Sequence, residues 1–261
     1  MNALKSVLVP VDFSRESRAA LQQAARLAGI NGARLHVLHV VDDEALSMIA
    51  GSRHISFESE SEIAVKGARE ALARWLAEAG APVECESAVT IGEPTHQIME
   101  HAKALKPDLV VAGITGSGAS ASGAGSVATR LAAGAPAKVL LVRAHHPDPF
   151  HRVAACIDFS KTSREVATQA RRVAVQDGAA VDFLHVWREP LLNLPYVSAL
   201  FGTSVSPSPA TFSEEHLKAL DTNLRDFVRE ASQGIEVVRL APCSILVVQA
   251  DEPPGQDAAP D

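Results

Sequence analysis

The residues best suited to ligand chemistry in this sequence are glycines that come directly after a short apolar run. Gly113-Ile114-Thr115-Gly116 follows Asp108–Ala112, and Gly125-Ser126-Val127 follows after eight further residues, none of them charged. Glycine lets a backbone approach a ligand closely, and the first turn of a helix offers unpaired N–H groups and a partial positive charge. A strand, a glycine loop and a helix start in this order are typical of a site for phosphate.

Asp12, directly after the apolar run Ser6–Val11, is a second candidate for ligand chemistry. No motif places another carboxylate or a histidine beside it, so general acid or base catalysis is disfavoured. Hydrogen bonding to a ligand is the preferred interpretation, and capping of the following helix is the alternative that needs no ligand. No catalytic residue is predicted.

Motifs of other nucleotide and metal sites are absent or incomplete. The sequence has no G-x-x-x-x-G-K-[ST] phosphate loop, and Gly116-Ser117-Gly118 lacks the complete G-x-S-x-G of a nucleophile elbow. Gly123–Ala128 fits a dinucleotide fingerprint, but it follows a long loop rather than a strand. His145, His146 and His151 match no standard zinc spacing and are expected to be solvated, so no metal site is predicted.

Short apolar runs alternate with longer helical patterns, which indicates an α/β fold whose helices connect the strands of an open parallel sheet. Ser14 is placed to cap a helix whose apolar stripe runs from Ala20 to Ala28. Pro94 begins a later helix, and an acidic loop with a helix from about Glu58 to Ala79 lies between the second and third strands. The five strands predicted in this half are Ser6–Val11, Arg34–Val41, Val83–Val89, Asp108–Ala112 and Lys138–Val142.

An internal repeat divides the chain into two domains. Val9–Ser14 returns as Ala155–Ser160, and Leu38-His39-Val40 returns as Leu184-His185-Val186. The repeated histidines are predicted to be hydrogen-bonded core residues rather than ligands. The second copy lacks equivalents of residues 87 to 132, which include the fourth strand, the glycine loop and most of the last helix. We therefore predict two tandem open parallel-sheet domains of the Rossmann-like, doubly wound type at residues 1–144 and 151–250, and a disordered tail at 251–261.

Composition narrows the classes of partner. The 261 residues are 47% apolar and carry a formal net charge of −7, which would repel a phosphate backbone, so no nucleic acid is expected. No secretory signal pattern and no membrane-length apolar run is visible, so the expected location is the cytoplasm, without membrane association. The three scattered cysteines are expected to be small buried residues in a reducing compartment.

In combination these features closely resemble the universal stress protein family. The opening Pro10-Val11-Asp12, the Leu38-His39-Val40 strand, the glycine signature and the closing strand Val139–Val142 occur in the family's order. The glycine spacer has eight residues where the family pattern has nine. It also has no basic residue after the second glycine, which members that bind ATP often carry.

The resemblance implies a nucleotide site in the first domain only, with ATP or another adenine nucleotide as cofactor. Val11, Asp12 and Val40 would hold adenine and ribose. The first two glycines would let the backbone approach ribose and phosphates, and Gly125–Val127 would contact the phosphates. The full set of predicted binding residues is Pro10, Val11, Asp12, Val40, Ala112, Gly113, Gly116, Gly125, Ser126 and Val127.

Two interpretations follow for the whole protein. The preferred one is a regulatory protein of stress physiology that binds an adenine nucleotide and is not an enzyme, with any ATP hydrolysis slow or absent. The alternative is a nucleotide-free interaction or scaffold protein whose glycine loop is vestigial, with an unidentified protein partner. In both, the apolar strands Val139–Val142 and Ile245–Val248 are expected to pair within an intramolecular pseudo-dimer, and a further homodimer is left open.

Overall fold

The structure, a computed structural model, describes residues 4–82, 84–116, 124–144, 148–185, 214–232 and 245–247. These residues form two compact units. One unit contains the described residues up to 149 together with 245–247, and the other contains the described residues between 150 and 242. The tail predicted at 251–261 lies outside the described residues.

A six-stranded sheet forms the centre of the first unit, with its strands in the order β3-β2-β1-β4-β5-β8. Strands β1 to β5 are parallel, and β8 pairs antiparallel with β5. An α/β fold with an open, mostly parallel sheet is confirmed. The strands are β1 (Ser6–Val11), β2 (Arg34–Val41), β3 (Glu86–Ile91), β4 (Leu109–Gly113), β5 (Lys138–Val142) and β8 (Ile245–Val247).

The helices of this unit begin and end at recognisable caps. Ser14 accepts a hydrogen bond from the N–H of Ser17 and so caps α1, as predicted, while Gly32 ends that helix in the left-handed conformation. Glu93 caps α4, in which Pro94 is the first residue. The helices are α1 (Arg15–Asn31), α2 (Asp43–Arg53), α3 (Phe57–Glu78), α4 (Pro94–Leu105) and α5 (Ser126–Gly134).

The acidic segment after β2 is a helix, α2, so the loop predicted there is wrong. Asp42 accepts a hydrogen bond from the N–H of Ala45 at 3.0 Å and caps the helix. Only Leu46 and Ala50 of α2 are buried, which is why its apolar periodicity is faint in the sequence. The helix is held instead by Arg53, whose guanidinium contacts the buried carboxylate of Glu60 at the start of α3.

The core of the first unit lies between the sheet and the helices that flank the glycine segment. Leu8, Val110 and Val139 from three adjacent strands pack with Ile98 of α4 and Leu131 of α5, and all five are buried. The apolar stripe predicted for α1, from Ala20 to Ala28, is buried as well. Strands β1 and β4 are buried on both faces and pair in parallel, so their carboxyl ends lie side by side.

The described part of the second unit has two parallel strands, β6 (Arg152–Ile157) and β7 (Ala180–His185), with helices α6 (Lys161–Asp177) and α7 (Glu214–Ser232). The pairing expected between the two final strands is confirmed, because Leu140 of β5 lies opposite Leu246 of β8. By sequence β8 ends the second copy, whereas by contacts it belongs to the first unit. The domain bounds taken from the repeat stay a prediction. Cys85 is half-buried and Cys156 is exposed, so the expectation of buried cysteines is wrong for these two, and Cys243 lies outside the described residues.

Candidate functional site

A cleft of about 680 Å³ opens at the carboxyl ends of the parallel strands in the first unit. Strand order reverses between β1 and β4, since β2 and β3 extend the sheet on one side and β5 extends it on the other. Such a reversal leaves a crevice in which open α/β sheets bind their ligands. The structure brings together all ten residues predicted to bind a ligand, because each of them lines this cleft: Pro10, Val11, Asp12, Val40, Ala112, Gly113, Gly116, Gly125, Ser126 and Val127.

The Asp12 carboxylate is held at the cleft by the first turn of α1. Its Oδ1 accepts hydrogen bonds from the N–H of Ser14, at 3.1 Å, and from the hydroxyl of Ser17. The same Ser17 oxygen accepts the N–H of Asp12 at 3.1 Å. This geometry depends on Phe13, whose φ of 65° turns the chain sharply between strand and helix. The carboxylate orientation is therefore fixed before any ligand arrives.

Two glycines are required because atoms crowd the space that a side chain would fill. A Cβ atom at Gly113 would lie 2.8 Å from Cβ of Glu16 and 3.1 Å from its carbonyl carbon. A Cβ atom at Gly116 would lie 2.9 Å from Oδ2 of Asp12. Gly113 therefore allows α1 to pack on β4, and Gly116 allows the glycine segment to approach the carboxylate.

Gly125 differs from the other two glycines because a Cβ atom there would meet its nearest neighbours at 3.7 Å, an ordinary contact distance. Its N–H donates to the carbonyl of Ile114 at 2.8 Å, which closes the glycine segment onto the strand end. It is also the N-cap of α5, and it makes no side-chain capping bond. The N-terminus of a helix attracts negative charge, so this end of the cleft is suited to an anion.

The rest of the cleft wall is mostly apolar. Leu38, Val40 and Ile98 line it from β2 and α4, opposite residues of the glycine segment. His39 also lines it, with Nδ1 2.8 Å from the carbonyl oxygen of Val11 and its ring 4.3 Å from that of Phe13. The predicted hydrogen bond is present, but the histidine is half-buried at the cleft rather than in the core.

Arg130 ties together the two helices that border the cleft. Its guanidinium donates to Oε1 of Glu93 at 3.2 Å and to Oγ1 of Thr95 at 3.3 Å. Glu93 in turn accepts the N–H of His96 at 2.6 Å. Slight burial acts to raise the pKa of Glu93, but hydrogen bonds from His96 and Thr95 and the charge of Arg130 outweigh it, so this pKa is lowered. The carboxylate thus stays charged and holds α5 against α4.

Several cleft residues have no counterpart in the sequence prediction. Ser17 and Asp42 are the polar ones that matter most, because one positions Asp12 and the other adds a second carboxylate to the lining. The repeat offered a signal for Ser17, since Ser163 stands at the matching position of the second copy. Asp42 gives no such signal. The other unpredicted lining residues are Leu38, His39, Pro94, Ile98, Ile114, Thr115, Ala124 and Ala128.

The second unit repeats the Asp12 corner almost atom for atom. Oδ1 of Asp158 accepts the N–H of Ser160 at 2.9 Å and the hydroxyl of Ser163 at 2.7 Å. Phe159 has a φ of 64° and packs on His185 at 4.5 Å between ring centroids. Hydrogen bonds from Ser160 and Ser163 hold the pKa of the Asp158 carboxyl well below its usual range.

Within the described ranges, no group of three or more His, Cys, Asp and Glu side chains is arranged to hold a metal ion. None of the helices in those ranges combines the length and apolar character that crossing a membrane requires.

Several known proteins are similar to this chain in sequence or in fold. Universal stress protein YxiE of Bacillus subtilis is 33% identical over 146 residues, which are 52% of this chain and 97% of that protein. A universal stress protein from Archaeoglobus fulgidus has a similar fold, with a TM-score of 0.50 at 20% identity, over 76% of this chain and 73% of that one. A universal stress protein in complex with cAMP is 26% identical over 55% of this chain and 99% of that one, with a TM-score of 0.38.

The family profile described as "Universal stress protein family" matches residues 3–143. This range contains β1 to β5 and every residue that lines the cleft. The match spans just over half of the sequence, and the chain belongs to the universal stress protein family.

Proposed function

We propose that the first unit binds an adenine nucleotide in this cleft and that the protein acts as a nucleotide-responsive regulator rather than as an enzyme. One observation carries the proposal. The ten residues chosen from the sequence lie in four separate segments of the chain, and all ten line a single cleft at the reversal of strand order. Its volume of about 680 Å³ falls within the roughly 300 to 1,000 Å³ typical of small-molecule sites.

The chemistry of the lining supports each part of a nucleotide in turn. The apolar wall formed by Leu38, Val40 and Ile98 suits the faces of a purine. The fixed carboxylate of Asp12 is an acceptor for ribose hydroxyls. Gly116 and the N-terminus of α5 offer backbone and helix dipole to phosphate. A regulatory role in stress physiology is proposed from the family alone.

The direct test is calorimetric titration of ATP, ADP, AMP and adenosine into the full-length protein, with GMP as the base control for AMP and GTP as the base control for ATP. We expect saturable binding of at least one adenine compound and much weaker binding of the guanine nucleotide with the same number of phosphates. A variant changed away from the cleft serves as a control. Gly67→Ala alters an exposed glycine of α3 with nothing within 4 Å of its added Cβ, and it should bind like the parent. Absence of binding heat for every adenine compound at millimolar concentration would contradict the proposal.

A nucleotide-free scaffold is the second candidate function. The observation that favours it is the antiparallel pairing of β8, the last strand of the second sequence copy, with β5, the last strand of the first. Such pairing covers an apolar strand edge. It would also join the two sequence copies as an intramolecular pseudo-dimer. This candidate gains support if the titrations are flat while the protein stays folded, and an unidentified protein partner would then carry the function.

A further inference from the structure

We propose that the cleft selects an adenine nucleotide with one phosphate over the corresponding triphosphate. The proposal rests on the proposed function, because it concerns the ligand of the same site. It comes from the distribution of charge in the lining, which offers dipoles to a phosphate but no side-chain cation.

Two carboxylates and no ammonium or guanidinium group line the cleft, as far as the described residues show. The carboxylates belong to Asp12 at the end of β1 and Asp42 at the start of α2. The glycine spacer at positions 117–123 consists of serine, glycine and alanine in the sequence, so it supplies no charge either. Each further phosphate charge therefore meets the two carboxylates without a cation in the lining to offset it.

The guanidinium carried by α5 already has other partners. Arg130 is in α5, but its guanidinium donates to Glu93 and Thr95 and does not line the cleft. These bonds also serve to hold α4 against α5. Turning Arg130 toward a triphosphate would therefore cost the contact that positions both helices.

What remains for phosphate is the N-terminus of α5. A helix N-terminus carries the equivalent of about half a positive charge, and the effect falls off within its first turn. Ser126, Val127 and Ala128 form this turn and all line the cleft. Unpaired N–H groups of one turn match the oxygens of one phosphate group, whereas a second and third phosphate would extend beyond them.

The position of Asp12 sharpens the discrimination. Its Oδ2 lies so near Gly116 that a Cβ there would stand 2.9 Å away, and a Cβ at Gly125 would in turn lie 3.7 Å from the Gly116 nitrogen. The Asp12 carboxylate is thus next to Gly116, and Gly116 is next to Gly125 at the start of α5. A single phosphate at the helix can keep away from this carboxylate more easily than a chain of three.

The experiment compares the Kd of AMP and ATP for the full-length protein by calorimetry, in EDTA and again in millimolar Mg²⁺. We expect AMP to bind about tenfold more tightly than ATP in EDTA, and the ratio to shrink as salt is added. In Mg²⁺, which neutralises part of the triphosphate charge, the ratio should also shrink. Binding of ATP as tight as that of AMP in EDTA at low salt would overturn the inference while leaving the proposed nucleotide site intact. Failure of all nucleotides to bind would overturn both.

A conservative pair of variants tests the role of charge directly. Asp42→Asn removes a cleft carboxylate but keeps a side-chain oxygen that can cap α2, so folding should be unaffected. We expect it to reduce the preference for AMP over ATP about threefold or more. Asp43→Asn removes the same charge from the neighbouring exposed residue, which does not line the cleft, and should leave the preference unchanged. Equal effects of the two variants would contradict the proposed role of Asp42.

Discussion

Gly116 and Asp12 lie so close together that a side chain at position 116 would collide with the carboxylate. The distance from a Cβ atom there to Oδ2 of Asp12 would be 2.9 Å. Asp12 has little freedom to withdraw, because its Oδ1 is held by Ser14 and Ser17. The pair therefore links the glycine segment to the carboxylate that the sequence repeats in both halves of the chain.

Gly116→Ala should weaken nucleotide binding without unfolding the protein. The added methyl group displaces the Asp12 carboxylate, and we expect a loss of affinity of about tenfold or more, equivalent to about 1.4 kcal/mol. Calorimetric titration with AMP measures the affinity, and urea unfolding followed by circular dichroism checks the fold.

Gly67→Ala is the matched control for this variant. It is the same substitution on the exposed face of α3, with nothing within 4 Å of the new Cβ. It should leave affinity unchanged and raise the free energy of unfolding by about 0.5 to 1 kcal/mol, because alanine is the better helix former. Equal affinities for both variants and the parent would show that the crowding at Gly116 has no bearing on the ligand.

Gly113→Ala should lower the free energy of unfolding of the first unit. Its Cβ would meet backbone and side-chain atoms of Glu16 at 3.1 Å and 2.8 Å, so α1 has to move away from β4. Overpacking of this kind typically costs about 1 to 3 kcal/mol in the free energy of unfolding. Hydrogen exchange should show faster opening of β4 and α1 amides. Gly67→Ala, with nothing within 4 Å of the new Cβ, is the control, and an equal loss in both variants would argue against the packing explanation.

Ser17→Ala should destabilise the first unit, because the hydroxyl serves two partners at once. Ser17 is only 5% exposed, and its loss leaves the N–H and the carboxylate of Asp12 each short of a hydrogen bond. We expect a cost of about 1 to 3 kcal/mol in the free energy of unfolding, measured by urea denaturation. Ser47→Ala, at an exposed position of α2, should cost much less. A negligible effect at Ser17 would mean that water replaces the hydroxyl without penalty.

The corner around Asp158 should loosen in acid. Hydrogen bonds from Ser160 and Ser163 lower the pKa of this carboxyl in the folded protein, so its contribution to stability is present above the unfolded pKa of about 3.9 and is lost as the pH falls below that value. Hydrogen exchange at β6 and the start of α6, corrected for the intrinsic rate, should therefore rise below about pH 4.

Asp158→Asn isolates this pH dependence. The amide keeps an oxygen for the donors from Ser160 and Ser163 but cannot titrate, so exchange at β6 should no longer change with pH in the acid range. A full acid response in the variant would assign the loosening to other groups.

The Asp12 corner shows why part of the site could be predicted and part could not. Asp12 and the three glycines stand out because a strand end, a glycine and a helix start leave a local pattern in the chain. Ser17 leaves only the repeat as a signal, through Ser163 at the matching position, because its contact with Asp12 exists only after Phe13 adopts a φ of 65° and turns α1 back over the strand end. Asp42 reaches the cleft through α2, a helix whose two buried residues are too few to reveal it.

By itself the sequence determined the α/β class, the repeat, the first five strands to within a few residues, and a set of ten residues that lie in one cleft. Those features follow from apolar periodicity, capping residues and glycine placement, all of which are local. The sequence also predicted that β8 pairs with β5, but only the tertiary structure decided that the pairing is antiparallel, with Leu140 opposite Leu246. It also decided that Gly113 and Gly116 serve different neighbours, one a helix and the other a carboxylate. Both depend on contacts between residues far apart in the chain, where close packing and not local preference selects the partner.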